Sequence, residues 1–154
     1  MLKFSRTVFF ICCAFGAVLA EQATAPSVAG ESINAPETQF DGIWSVTISC
    51  PDEIGGTGAR GYTFQFVADV KQGVLHAQYR TPDSPGSLTL DGKIQSNGAA
   101  ELNAHGRTGN PEYAVNRLST GTPYSYLIKA QFAATRGTGT RIDTRPCNFG
   151  FSKR

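Results

Sequence analysis

The sequence predicts an all-β domain: an antiparallel meander of about seven or eight strands, closed into a small barrel, with the first strand paired to the last. Three observations carry this. From Phe40 onward apolar residues recur at every second position, in short runs punctuated by Gly, Pro, Asn and Asp, and helical periodicity is nearly absent. The 17 glycines and 8 prolines are spread through the chain without a repeat, which excludes a collagen-like composition. Cys50 and Cys147 lie close to opposite ends of the alternating region, where a disulfide between them would tie the first strand to the last.

The chain begins with residues that are not expected to belong to that domain. Lys3 and Arg6 precede an apolar run from Thr7 to Leu19, and Val18-Leu19-Ala20 ends it with a small residue. This is the pattern of a secretory signal peptide over residues 1–20, and the run is short for a spanning helix. Cys12 and Cys13 would leave with it. Residues 21–39 are rich in Ala, Pro, Ser and Glu, with Val28 and Ile33 as their only larger apolar side chains. They read as a disordered linker or arm. Residues 40–154 form the barrel domain, enough chain for one core. The expected location is periplasmic or secreted, where Cys50 and Cys147 are oxidised. After cleavage no stable membrane insertion is expected.

The strands follow in order. Trp44, Val46, Ile48 and Cys50 share one face of the first, and Tyr62, Phe64, Phe66, Ala68 and Val70 one face of the second. Leu75, Ala77 and Tyr79 mark the third, Leu88, Leu90 and Ile94 the fourth, and Ala100, Leu102 and Ala104 the fifth. Tyr124, Tyr126, Ile128, Ala130 and Phe132 mark a long later strand, and Cys147, Phe149 and Phe151 the last. Clean alternation means one buried face per strand, as in an antiparallel barrel or sandwich.

Register can be tested, because a slip of one residue turns a strand inside out. A three-residue loop Ser96-Asn97-Gly98, with Gly98 left-handed, sets Ile94 against Ala100, Gly92 against Leu102 and Leu90 against Ala104, and on the other face Lys93 against Glu101. A loop from Gly137 to Thr140 would set Arg136 against Arg141, and then Ala130 against Cys147, Ile128 against Phe149 and Tyr126 against Phe151. The disulfide adds a distance constraint. If the first and last strands are antiparallel neighbours, Ile48 opposes Phe149, Val46 opposes Phe151 and Trp44 opposes Lys153. The apolar faces match, so the sheet closes; an open sandwich is the alternative. Residues 108–121 fit poorly. Asn110-Pro111-Glu112 reads as an N-cap with Pro at the first helical position, so the segment is a short helix or a poor eighth strand.

Charge and motifs narrow the function. There are 14 Lys and Arg against 12 Asp and Glu, a net charge of +2, and removing Lys3 and Arg6 with the signal leaves 12 against 12. That balance does not suit a nucleic-acid binder. No Gly-x-Ser-x-Gly elbow, His-Glu-x-x-His or free Cys–His pair is present, so no catalytic residue is assigned and no enzyme is expected. No cofactor or metal is expected either. His76 and His105 are read as outward, solvated strand residues, His76 opposite Val67 and His105 opposite Thr89. Asp52-Glu53 reads as turn solvation. Arg136, Arg141 and Arg145 around the Gly137–Thr140 loop, with Arg60 in a similar Gly-rich context, form the one candidate site for an anion or a partner. Ten inward aromatics argue for a filled interior, since an eight-stranded barrel holds its own side chains or one small ligand. The tyrosines among them argue the other way, because hydroxyls at a barrel mouth can line a polar pocket.

Gly42-Ile43-Trp44 resembles the start of the calycin barrels, the lipocalins and avidins, which carry Gly-x-Trp on the first strand and a basic residue near the end of the last strand packed on that Trp. Lys153 or Arg154 stands at the corresponding place. The Asn and Ser that follow the avidin Trp are absent, and the chain lacks the later lipocalin motifs. The signal, small barrel and single disulfide also resemble periplasmic inhibitor barrels of metalloproteases or lysozymes, in some of which an N-terminal arm enters the target. Over Phe40 to Lys153 the pattern looks most like an uncharacterised family of secreted bacterial domains. Its marks are Phe40-Asp41-Gly42-x-Trp44, Gly86-Ser87-Leu88-Thr89-Leu90-Asp91-Gly92, Gly121-Thr122-Pro123-Tyr124 and the Arg136–Arg141 run. The expectation is an exported, monomeric, non-enzymatic binding module acting on a protein or envelope component, such as a hydrolase. The alternative is a calycin-type carrier of a small ligand.

Overall fold

The computed structural model describes residues 37–154, apart from 54, 55 and 144. The expected signal peptide and most of the expected arm lie outside the described residues. Eight antiparallel strands follow one another around a closed barrel: β1 Gly42–Cys50, β2 Tyr62–Lys71, β3 Val74–Tyr79, β4 Leu88–Ile94, β5 Ala99–Arg107, β6 Pro123–Phe132, β7 Arg136–Arg141 and β8 Asn148–Lys153. Three short 3-10 turns accompany them, at Glu37–Phe40, Pro111–Tyr113 and Val115–Arg117. The last residues of the expected linker are therefore part of the fold. Phe40 is buried, and Gln39 Nε2 donates to Ser96 O at 3.1 Å.

Closure follows the predicted register. In the β1–β8 ladder Trp44 pairs with Lys153, Val46 with Phe151 and Ile48 with Phe149. Cys50 and Cys147 extend it as a disulfide with a Cα–Cα distance of 4.3 Å, close to the separation of directly opposed residues. The β4–β5 hairpin also has its predicted register, Ile94 to Ala100 and Leu90 to Ala104. Gln95 N donates to Ala99 O across the loop, and Gly98 takes a φ of +83° there.

Two expected pairings are corrected. Residues 136–141 are a strand, not a hairpin loop. β7 lies between β6 and β8, with Ala130 opposite Gly139, Ile128 opposite Arg141, and Gly139 opposite Phe149. This strand supplies the eighth member of the barrel, and residues 108–121 do not. Its inward positions are Gly137 and Gly139, both buried. A Cβ on Gly137 would lie 2.9 Å from Phe132 Cδ1, and one on Gly139 3.0 Å from Ile128 Cγ2. The strand leaves space that its neighbours' large side chains fill.

The second correction concerns His76, which opposes Asp69 and Asp91 and not Val67. The β2–β3 turn is Gln72-Gly73, both with positive φ, one residue later than the Val67 pairing requires. Asp41 holds it there: its carboxylate accepts from Gln72 N at 2.9 Å and Gly73 N at 3.0 Å. Those two backbone donors hold the Asp41 pKa below the ordinary carboxylate value.

The two ends of the barrel differ. At one end the connections are short, 72–73, 95–98 and 133–135. Trp44, Phe40, Phe132 and Phe151 fill that end, with the Trp44 and Phe132 rings edge to face at 5.4 Å. Trp44 Nε1 donates to Phe40 O at 2.8 Å. Lys153 Nζ stands 5.9 Å from the Trp44 ring centroid and donates to Gln39 O. At the other end the connections are the long segments 51–61, 80–87, 108–122 and 142–147. The disulfide is at this second end.

Candidate functional site

The end with the long connections holds a half-open cavity of about 500 Å³. Its walls are rings projecting from the first inward positions of β2 and β6 and the last of β3: Tyr62, Phe64, Tyr124, Tyr126 and Tyr79, joined by Tyr113 from residues 108–122. All five tyrosines of the chain line it. The expected filled interior therefore holds for one half of the barrel only. The physical reason is the way the rings lie. Tyr124 and Tyr126 are stacked at 5.8 Å with an interplanar angle of 10°, and Tyr62 and Phe64 at 5.7 Å and 29°. Successive inward residues of one strand stack along the wall here, whereas at the filled end Phe132 also meets the Phe40 and Trp44 rings edge to face from other elements.

Burial raises the pKa values of Tyr62, Tyr124 and Tyr126 above the ordinary phenol value. Their hydroxyls are neutral donors and acceptors at any physiological pH. Tyr124 Oη donates to Ser87 O at 2.9 Å, which ties β6 to the start of β4.

Residues 108–122 lie over the opening. Asn110 caps the first turn, its side chain accepting from Glu112 N at 2.9 Å, with Pro111 in the first helical position as the sequence indicates. The segment is neither a regular helix nor a strand. Two 3-10 turns follow one another, and the second is kinked at Asn116, which has a φ of 53°. It is fastened at several points. Arg60 N donates to Glu112 O, Asn116 N to Thr57 O, and Arg145 Nη1 to Tyr113 O. Thr108 Oγ1 donates to Ser119 O. Tyr113, Ala114, Val115 and Leu118 contribute to the roof of the cavity.

The four candidate arginines do not form one cluster. Arg136 starts β7 at the filled end, and Arg141 ends the same strand at the open end, roughly 16 Å away at the usual rise of a strand. The basic hairpin tip expected from the sequence does not exist, because the run is extended. Arg60, Arg141 and Arg145 do come together at the open end. Arg60 forms an ion pair with Glu112 at 3.6 Å, and its carbonyl accepts from Arg145 Nη2. Arg141 lies over the Tyr126 ring at 4.0 Å and is paired with Asp143, Nη2 to Oδ2 at 2.7 Å. Arg145 is 1% exposed. Its guanidinium donates to the carbonyls of Tyr113, Pro51 and Arg60 and lies 5.0 Å from the Tyr62 ring centroid.

Arg80 and Arg107 also line the cavity, which the sequence reading did not single out. Arg107 pairs with Asp83 at 3.1 Å, and Arg80 stands over the Tyr79 ring at 5.4 Å. Their sequence signal was their place: Arg80, Arg107 and Arg141 each stand at the C-terminal end of an inward-alternating strand or just beyond it. His76 and His105 are exposed on the outer face, away from the rings. His76 Nδ1 is 2.6 Å from Asp91 Oδ1. Among the described residues, no group of three or more His, Cys, Asp or Glu is placed to hold a metal ion, and no helix is long and apolar enough to cross a membrane.

Comparison with family models, with curated proteins and with solved structures yields no significant match.

Proposed function

We propose that the protein is an exported binding module that takes a small ligand into the open end of its barrel. The observation that carries this reading is the cavity itself. About 500 Å³ falls within the usual range of small-molecule sites, and its wall combines flat apolar rings with a few convergent polar groups. Export is supported by the Cys50–Cys147 disulfide, which suits an oxidising compartment. The resemblance to calycin barrels at Gly42-Ile43-Trp44 points the same way.

A protein or envelope partner engaged through a basic tip has less support. Arg136 is separated from the other three arginines, Arg60 and Arg141 are paired with Glu112 and Asp143, and Arg145 is buried. Among the described residues, these contacts leave the four arginines without a shared basic patch at the Gly137–Thr140 run.

Native mass spectrometry of the protein, exported under its own N-terminus and purified without refolding, tests the reading. The expected result is either an added mass that leaves on denaturation or, for a bare protein, a ligand-dependent rise in melting temperature with small apolar compounds. A bare protein whose melting temperature no such compound moves would sink the carrier reading.

A further inference from the structure

We propose that the ligand is an amphipathic anion: a flat, aromatic body lies along the stacked rings, and its acid group reaches Arg145 and Arg141. This deepens the carrier reading and rests on it. The first ground is the charge of the lining. Arg80, Arg107, Arg141 and Arg145 all face the cavity, and among the described residues no Asp or Glu lines it. Asp83 and Asp143, which pair with Arg107 and Arg141, stand outside the lining.

The second ground is the state of Arg145. It is fully buried, and among the described residues no carboxylate pairs with its guanidinium. Three backbone carbonyls satisfy Nη1 and Nη2, whereas buried Nε has no hydrogen-bond partner. Carbonyl dipoles hold a guanidinium in place without cancelling its charge. A buried charge without a counter-charge is costly, and a ligand anion in the adjoining cavity would supply one. Asp143 fixes the geometry, because its carboxylate accepts from Arg145 N at 3.2 Å while holding the Arg141 guanidinium. Asp143 therefore ties both cations to the Tyr62 and Tyr126 side of the cavity.

The third ground is shape. The walls are built of stacked or tilted aromatic faces, Phe64 against Tyr79 at 4.7 Å and Tyr124 against Tyr126 at 5.8 Å. Flat faces of this kind favour offset stacking with an aromatic guest.

Two fluorescent probes separate the claims: 1-anilinonaphthalene-8-sulfonate and N-phenyl-1-naphthylamine, which has the same rings without the sulfonate. The full chain is used, oxidised and below its melting temperature. The sulfonate should bind about tenfold more tightly or better, as expected for charge-assisted hydrogen bonds in a partly desolvated site. Its affinity should fall with added salt while that of the neutral probe holds. In Arg141→Gln the preference should shrink to about threefold or less with the neutral probe unaffected. Arg145→Gln should remove more of it, but Arg145 also braces three loops, so Arg141→Gln is the deciding variant. If the neutral probe binds as tightly as the sulfonate, the anion assignment is wrong and the carrier reading survives. If neither binds, both are wrong.

Discussion

Tyrosine 126 shows how one residue type separates the two ends of the barrel. The filled end is built with Phe40, Trp44, Phe132 and Phe151, and the open end with five tyrosines and Phe64. A phenol suits a wall that is apolar along its face and meets polar groups at its tip. Burial holds the Tyr62, Tyr124 and Tyr126 pKa values above the ordinary phenol value of 10.0 in the folded state. Unfolding returns them to that value. The stability carried by the neutral hydroxyls is therefore intact below about pH 10 and is lost as the pH rises beyond it. Tyrosinate absorbance followed together with circular dichroism should show these three rings ionising as the sheet unfolds, in one transition. Ionisation of all three near 10 with the sheet intact would mean that the wall is open to water on every side. The sequence holds this division of Tyr from Phe in plain view. What it does not hold is the direction in which consecutive rings lean, and that leaning decides whether ten inward aromatics fill a barrel or line it.

At the scale of the element, β7 carries the lesson. Its sequence Arg-Gly-Thr-Gly-Thr-Arg alternates with period two, but the inward class is glycine, so hydrophobicity shows no strand and turn chemistry suggests a loop. The glycines are there because Phe132, Ile128 and Ala130 occupy the space a side chain would need. Gly139→Val tests this. Its Cβ would meet Ile128 Cγ2 at 3.0 Å and Ala130 Cβ at 3.1 Å, on a buried strand with neighbours on both sides. Overpacking of this kind costs about 1–3 kcal/mol, despite the better strand propensity of valine. A lowered midpoint in denaturant is the expected result, and a midpoint equal to or above the wild type would remove the steric account. β1 and β8 are legible because their inward residues are large and the disulfide pins their register, and β5 because Ala100, Leu102 and Ala104 alternate beyond a hairpin glycine. β7 is not, because sequence shows which side chains a strand has and not the space it yields to others. For the same reason the sequence suggests that Arg141 flanks a hairpin loop opposite Arg136, when it is the last residue of a strand that delivers it to the cavity.

For the whole molecule, the disulfide does more than shorten the unfolded chain. A closed barrel needs its first and last strands to stay paired, and those strands are joined by the β1–β8 ladder and by the Cys50–Cys147 bridge beyond its end. The ladder ends at Ser49 and Asn148, and the bridge continues it into the open end, beside the loop that carries Asp143 and Arg145. With a sequence separation of 97, the chain-entropy estimate for such a link is roughly 4–5 kcal/mol. The ladder has its own apolar pairs, Val46 with Phe151 and Ile48 with Phe149, so it should persist without the bridge. The double variant Cys50→Ala/Cys147→Ala should keep its strand signal in circular dichroism yet melt about 10 °C lower or more. Its larger loss should be local. Pro51, whose carbonyl accepts from Arg145 Nη2, follows directly on Cys50, so freeing that cysteine loosens the brace that holds Arg145 against Tyr62. Hydrogen exchange should therefore quicken in residues 51–61 and 142–147 ahead of the filled end around Trp44. Equal melting of the bridged and unbridged proteins would show that the ladder alone keeps the barrel closed, and uniform exchange would show that the bridge has no particular hold on the open end.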